Sequence, residues 1–293
     1  MKIIVIGSVK FSKIVFSYLI NNKVKIFYIL GKKKSDFNSD FVDLIKYFSK
    51  KKIESRYISD INKPSTIKWL RFQKPDLIIC LGWSRLLKKQ VLKIPKFGVI
   101  GYHPSDLPSN RGRHPIIWAL ALGLKKIAST FFLMNENADS GSLLSKKFIK
   151  ILDKDDANTI YNKLSNLAGP QLLKIIKKIK KGNLRKIKQL DSKSNFWRKR
   201  NEVDGLIDWR MSATSIINLV RALQKPYIGA HFVINNKKIK LWSARKIESN
   251  KKNFEPGKVI GFKSGKPIIK CGENAIIILK TKPKISIKLN SYL

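Results

Sequence analysis

The stretch Gly98-Val-Ile-Gly-Tyr-His-Pro-Ser-Asp-Leu-Pro108 sets a short apolar run directly against a proline-stiffened loop. Gly98 to Tyr102 contains β-branched residues between punctuating residues, which reads as a buried strand. The loop then opens with His103, and Pro104 and Pro108 each fix one backbone dihedral. Outward from this stretch, Lys2 to Gly7, Val24 to Leu30 and Leu77 to Leu81 have the same character. Continuous rather than alternating apolar strands mark a parallel sheet covered on both faces. Helical patterns at Ser12 to Asn21 and Phe41 to Lys50 lie between them. The alternation predicts a Rossmann-like α/β fold, whose ligands bind beyond the carboxyl ends of the strands. His103 is expected there.

Further along, Asp155 and Asp156 suit a helix start, and Ile160, Leu164 and Leu167 share one face. Gly169-Pro170 is expected to break this helix, with Leu172, Leu173, Ile176 and Ile179 on a second one ending at Gly182. Asn183 to Arg200 is polar and basic and reads as a linker. Beyond it come a helix near Ala213 to Leu223 and five short strand candidates: His231 to Ile234, Ile239 to Ala244, Lys258 to Phe262, Lys266 to Cys271 and Ala275 to Lys280. Turns such as Asn235-Asn236 and Ser264-Gly265 separate them, which predicts a small β-barrel, OB-like in type. The expected division is a catalytic domain over residues 1–183, a linker over 184–200 and a C-terminal domain over 201–293.

Composition excludes several classes. With 43% hydrophobic and 10% aromatic residues, a chain of 293 residues can bury a real core, so large-scale disorder is not expected. The formal net charge is +42, from 61 Lys and Arg against 19 Asp and Glu. Such charge suits nucleic acid. Yet the basic residues are spread over Lys32 to Lys34, Lys50 to Lys52, Lys177 to Lys181 and the C-terminal region. A drift of the whole composition explains this spread better than a dedicated surface, and it still steers anionic substrates. The two cysteines, Cys80 and Cys271, make neither a disulfide framework nor a zinc cluster, so no metal is expected. The opening run is too short for a signal h-region or a membrane span, which points to a reducing cytoplasm and no membrane partner. Gly7 alone cannot form a dinucleotide loop, and no Walker-type loop is present.

The chemistry-bearing residues converge between Pro75 and Leu144. His103 is joined by Asp139, in the loop Ala138-Asp-Ser-Gly141 between strand candidates Phe131 to Met134 and Leu143 to Lys147. A carboxylate beside an imidazole fixes its tautomer and favours its charged form, which is general acid–base equipment. Spacing alone does not name a reaction.

His103-Pro-Ser-Asp-Leu-Pro108, Arg111-Gly112 and Asp139-Ser-Gly141 together resemble the signature of the 10-formyltetrahydrofolate-dependent formyltransferases. Pro75-Asp76 with Trp83-Ser-Arg-Leu-Leu87 resembles that family's folate-contacting loop. Asp204-Gly-Leu-Ile-Asp-Trp209, Arg221-Ala-Leu223 and Pro226-Tyr-Ile-Gly-Ala230 resemble the C-terminal domain of its tRNA and amino-sugar branches. The resemblance implies an enzyme with His103 and Asp139 as catalytic residues. It implies a folate pocket formed by Trp83, Ser84, Arg85, Leu86, Leu87, Met134, Asn135, Ala138 and Asp139. It further implies acceptor contacts at Tyr102, Ser105, Arg111, Gly112 and Arg113. One position departs from the pattern: the family's Asn two residues before the histidine is Gly101 here. The amide of that Asn helps to hold the oxyanion, and losing one such donor commonly costs about 100- to 1,000-fold in rate. Asn110, His114 and Tyr102 are the nearby residues that could replace it.

The resemblance leaves two acceptors. The tRNA enzymes carry a basic insert of the Pro-Ala-Gly-Arg-Gly-Lys-Lys type after the second strand, whereas Leu30 to Asp40 is short here. That favours a small acceptor, a nucleotide-linked amino sugar, with methionyl-tRNA as the alternative suited to the charge. A catalytically weakened homologue, or an RNA-binding protein that uses Trp209, Tyr227, Phe232 and Trp242 as stacking groups, is a further alternative. A homodimer is among the arrangements such a chain allows.

Overall fold

The computed structural model describes residues 1–35 and 38–293. It divides into two compact units, one of residues 1–115, 127–149 and 161–198 and the other of 116–126, 150–160 and 199–293.

The elements run in the order β1 (Ile3–Gly7), α1 (Lys10–Asn21), β2 (Ile26–Gly31), α2 (Leu44–Phe48), β3 (Glu54–Tyr57), α3 (Pro64–Gln73), β4 (Leu77–Leu81), α4 (Lys89–Leu92) and β5 (Val99–His103). There follow β6 (Arg111–Gly112), α5 (Pro115–Ala121), β7 (Lys126–Leu133), β8 (Leu143–Lys150), α6 (Ala157–Lys180) and β9 (Phe196–Trp197). The chain closes with α7 (Ala213–Ala222), β10 (Ala230–Ile234), β11 (Lys237–Ile247), β12 (Val259–Lys263), β13 (Lys266–Lys270) and β14 (Ala275–Lys282).

In the first unit a seven-stranded sheet has the order β3-β2-β1-β4-β5-β7-β8. Strands β1 to β5 pair in parallel, and β7 joins β5 antiparallel. Successive residues face opposite sides. Ile3, Val5, Leu77, Ile79 and Leu81 pack under α1 and α6 with Val15, Phe16, Leu19 and Ile176. Ile4, Ile6, Ile78 and Cys80 pack on the other face with Ile67, Leu70 and Val91. Burying one such side chain contributes about 1.5–3 kcal/mol, so neither face can be left wet. This two-sided burial makes the expected strands unbroken apolar runs.

Helix α1 starts two residues before Ser12, whose hydroxyl donates to the carbonyls of Val9 and Leu81 and ties the helix start to the end of β4. Pro170 does not break α6, contrary to expectation. The proline removes one amide donor, yet Ala168, Leu172, Ile175, Ile176 and Ile179 on both sides of it are buried in one cluster. Gly169 gives that crossing its closeness, since a Cβ there would meet Tyr18 at 2.7 Å. The expected linker is not free chain: Ile187 bridges Leu143, and β9 pairs with β6.

In the second unit, α7 is held by Ser212, whose side chain caps it by accepting from the Ser215 amide. The five strands form one antiparallel sheet in the order β10-β11-β14-β13-β12. Register shifts between Leu241 and Ala244 mark bulges, which bend a strand. Trp209 and Phe232 are buried edge to face at 5.4 Å, which makes them core rather than stacking platforms. Among the described residues, no helix is long and apolar enough to cross a membrane.

Candidate active site

Strand β5 determines what reaches the cleft. Alternation points Gly101 and His103 to one side and Tyr102 to the other, where its ring stacks on Phe11 at 4.4 Å and lies 4.9 Å from Phe131. Tyr102 therefore borders the cleft while its side chain packs in the core, and burial pushes its phenol well above the usual range. The expected acceptor contact through its hydroxyl is not what its placement offers.

His103 is 5% exposed. Its Nε2 lies 2.8 Å from the Asn110 carbonyl. A carbonyl only accepts, so Nε2 carries a proton and Nδ1 is left to exchange one. Nδ1 faces Asp139 Oδ2 at 3.6 Å. That gap exceeds a hydrogen bond, and such pairs close in the reacting complex. Asp139 Oδ2 also accepts from the Gly112 amide at 3.0 Å. Gly112 is needed there: its φ is +103°, and a Cβ would come within 2.4 Å of the Trp197 carbonyl. Asn110 and Asp139 hold φ of 65° and 54°, a region costing about 1–3 kcal/mol per non-glycine residue.

The cleft beyond the carboxyl ends of β4 and β5 encloses about 330 Å³. Of the expected folate residues, Trp83, Ser84, Arg85, Leu86, Met134, Asn135, Ala138 and Asp139 line it. Leu87 does not; it is buried with Val91 on the sheet face that carries Ile67 and Leu70. Trp83 keeps its indole N–H buried without a hydrogen-bond partner in the described structure. Arg85 is turned to Asp60 at 2.8 Å, and Asn62 holds the same loop by donating to the Leu86 carbonyl. Cys80 also borders the cleft, but burial pushes its thiol up to about 12, so it remains protonated at neutral pH.

Of the expected acceptor contacts, Gly112 and Arg113 line the cleft. Ser105 does not: it is 1% exposed, and its hydroxyl donates to the Ser109 carbonyl. Arg111 is 3% exposed and paired with Gln189 at 3.0 Å and Asp191 at 2.9 Å, so it supports the site from behind. Both have one cause: the loop from Ser105 to Arg111 is folded on itself and on the 187–197 segment, which occupies the Ser105 hydroxyl and the Arg111 Nη2. Gly82, Phe132 and Asn137 line the cleft without having been singled out. Asn137 sits in the same loop as Asp139, a signal that could have found it.

Gly101 has a physical explanation. A Cβ there would meet Met134 Cγ at 2.8 Å and Phe132 Cζ at 2.9 Å. Met134 and Phe132 fill the place where a side chain at position 101 would stand. Neither Asn110 nor His114, both expected as substitutes, is among the cleft-lining residues.

Comparison with known proteins shows the family of the chain. Residues 1–176 match the family described as Formyl transferase, and residues 200–293 match Formyl transferase, C-terminal domain. The chain is 36% identical to the methionyl-tRNA formyltransferase of Caldanaerobacter subterraneus subsp. tengcongensis, over 78% of this chain and 73% of that protein. It is also 36% identical to the bifunctional polymyxin resistance protein ArnA of Wigglesworthia glossinidia brevipalpis, over 88% of this chain but only 37% of that protein. In fold it is similar to WlaRD, a sugar 3N-formyl transferase crystallised with dTDP and 5-N-formyl-THF. There the TM-score is 0.72 and the identity 18%, over 97% of this chain and 99% of the other.

Proposed function

Because the chain belongs to the formyl transferase family, we propose that it moves a formyl group from 10-formyltetrahydrofolate to a primary amine, with His103 and Asp139 handling the protons. The observation that carries this reading is the pair itself, a buried imidazole whose Nδ1 faces a carboxylate inside a cleft at the carboxyl end of the sheet. The unpartnered Trp83 N–H, set beside the backbone of residues 134–139, suits a flat heterocycle rich in donors and acceptors. The cleft volume falls in the range of small-molecule pockets.

The neutral amine attacks the formyl carbon, forming a C–N bond as the carbonyl pair moves to oxygen. Collapse restores the carbonyl and breaks the bond to the folate N10, which leaves with its electron pair and takes a proton. One proton thus passes from the amine to N10. Asp139 accepts it from the attacking nitrogen, and His103 exchanges it at Nδ1, since Nε2 is held by Asn110. An imidazolium protonated at Nδ1 also offsets the charge of the oxyanion.

The acceptor we propose is a nucleotide-linked amino sugar. The short Leu30 to Asp40 segment supports a small acceptor; its Asp36 and Phe37 lie outside the described residues. Methionyl-tRNA is the second reading, favoured by the net charge of +42 and by the 36% identical relative. Formyl transfer measured on dTDP-linked amino sugars and on methionyl-tRNA in parallel, across a salt series, separates them. Turnover on a sugar that varies little with salt supports the first reading. Turnover on tRNA alone, falling steeply with salt as phosphate contacts are lost, overturns it.

A further inference from the structure

We infer that Gln189 is the positioning residue of the reaction centre, holding the Asp139 loop so that its carboxylate meets His103; this rests on the assignment of His103 and Asp139 as the reacting pair. Asp139 occupies left-handed backbone space, so something must hold it there. Its carboxylate is aimed by the Gly112 amide, but its backbone is held elsewhere. Gln189 Nε2 donates to the Asp139 carbonyl at 2.8 Å and to the Gly141 carbonyl at 2.6 Å. One amide nitrogen spanning two carbonyls fixes the turn around Ser140.

The opposite end of the same side chain explains why the amide points this way. Gln189 Oε1 accepts from Arg111 Nη2 at 3.0 Å, and Arg111 is anchored by Asp191. Two carbonyl oxygens on one side and a guanidinium on the other leave only one orientation of the amide satisfied. Gln189 is 6% exposed, so flipping or losing it would leave buried polar groups unpaired. At Gly141 the loop is pressed onto β7 so closely that a Cβ would lie 1.6 Å from the Leu133 carbonyl.

The same segment reaches the other partner. Asn195 Oδ1 accepts from the Asn110 amide at 2.7 Å, and its carbonyl accepts from the Arg111 amide at 3.0 Å. Asn110 is the residue whose carbonyl meets His103 Nε2. Residues 187–197 thus support both halves of the pair, the carboxylate through Gln189 and the imidazole through Asn195.

The chain holds three histidines, His103, His114 and His231, which makes imidazole ¹⁵N spectra of the full protein resolvable. Spectra at one pH are compared for wild type, Asp139→Asn, Gln189→Glu and Gln189→Met. Gln189→Glu is nearly isosteric and keeps an acceptor for Arg111 while losing both donors; Gln189→Met adds no charge. The expected result is that Asp139→Asn moves the His103 Nδ1 resonance and each folded Gln189 variant moves it comparably, with an unchanged circular dichroism spectrum as the sign of an intact fold. A Gln189 variant that folds yet leaves Nδ1 at its wild-type position, while Asp139→Asn moves it, overturns the inference alone. If Asp139→Asn leaves Nδ1 unmoved, the assignment of the pair fails instead. A merely structural glutamine would lower stability without moving Nδ1. In turnover, Gln189→Glu is expected to lower kcat about 10- to 100-fold, as misplacement of a reacting group does, with the KM for the formyl donor unchanged.

Discussion

The parallel sheet of the first unit has a hollow at each end, and the two differ in kind. At the amino ends of β4 and β5, a space of about 710 Å³ is lined by Arg71, Lys74, Lys89, Lys93 and Lys96. All five cations are exposed, and Asp76 among them already accepts from the Lys2 amide. At the carboxyl ends the cleft is less than half as large, yet it holds a buried imidazole, an unpartnered indole N–H and, in Asp139, a non-glycine residue in left-handed space. A positive φ also occurs at the amino end, at Lys74, but there it is an ordinary helix cap. Volume and charge therefore do not mark the site. A solvated lysine costs the fold little, whereas a buried histidine and a strained aspartate persist only where surrounding bonds hold them.

The largest effects should break along this line. His103→Ala or Asp139→Ala is expected to lower kcat about 10²- to 10⁴-fold, the usual contribution of a positioned acid–base group. The double variant Arg71→Ala/Lys93→Ala should leave kcat within about twofold at physiological salt, where exposed charges are screened. A large loss from that double variant, measured in the same assay, would place function at the amino end as well.

Next in size is Gly112→Ala, expected to destabilise by about 3 kcal/mol through left-handed strain and the approach of the Trp197 carbonyl. Urea unfolding checks it, and a neutral result would mean that Gly112 is not pressed against the Trp197 carbonyl as described. Gly101→Asn is expected to cost about 1–3 kcal/mol by overpacking against Met134 and Phe132. Adding Met134→Ala should return part of that loss. If Gly101→Asn is fully tolerated alone, the place is not filled.

The smallest effect concerns Asp60, the ion-pair partner of the cleft-lining Arg85. The Asn62 amide, aided by Arg85, holds the Asp60 carboxyl below the ordinary value of 3.8 against the opposing effect of burial. A carboxyl lowered in the folded state stabilises above its unfolded value, and that contribution is lost as pH falls through the folded one. Asp60→Asn should therefore cost under about 1 kcal/mol at pH 7, and the difference should vanish in acid below both values. Urea midpoints at the two pH values test this; a deficit that persists in acid would show that charge is not its source.

The fold was largely legible because burial leaves a pattern. Strands β1, β2, β4 and β5 are covered on both faces, and their runs of Ile, Leu and Val say so. Strand β3 reads Glu-Ser-Arg-Tyr and is exposed throughout, so no apolar pattern announced it. Pro170 misled because local propensity was overridden by a row of buried side chains along α6. At the site, His103 and Asp139 were legible as chemistry-bearing residues beside strand ends. Their supports were not: Asn110 acts through its carbonyl, which every residue possesses, and Gln189 sits in a polar stretch that looked like a linker. Arg111 and Ser105 were expected as substrate contacts from the family resemblance, because a motif shows a polar group but not its partner.

The most direct test of the account is transfer of an isotopically labelled formyl group from 10-formyltetrahydrofolate to the amine acceptors named above. Wild type, His103→Ala, Asp139→Ala and Arg71→Ala/Lys93→Ala are compared side by side. The account predicts transfer by wild type and by the amino-end variant, and its loss in both carboxyl-end variants. Transfer that survives in His103→Ala and Asp139→Ala would contradict it.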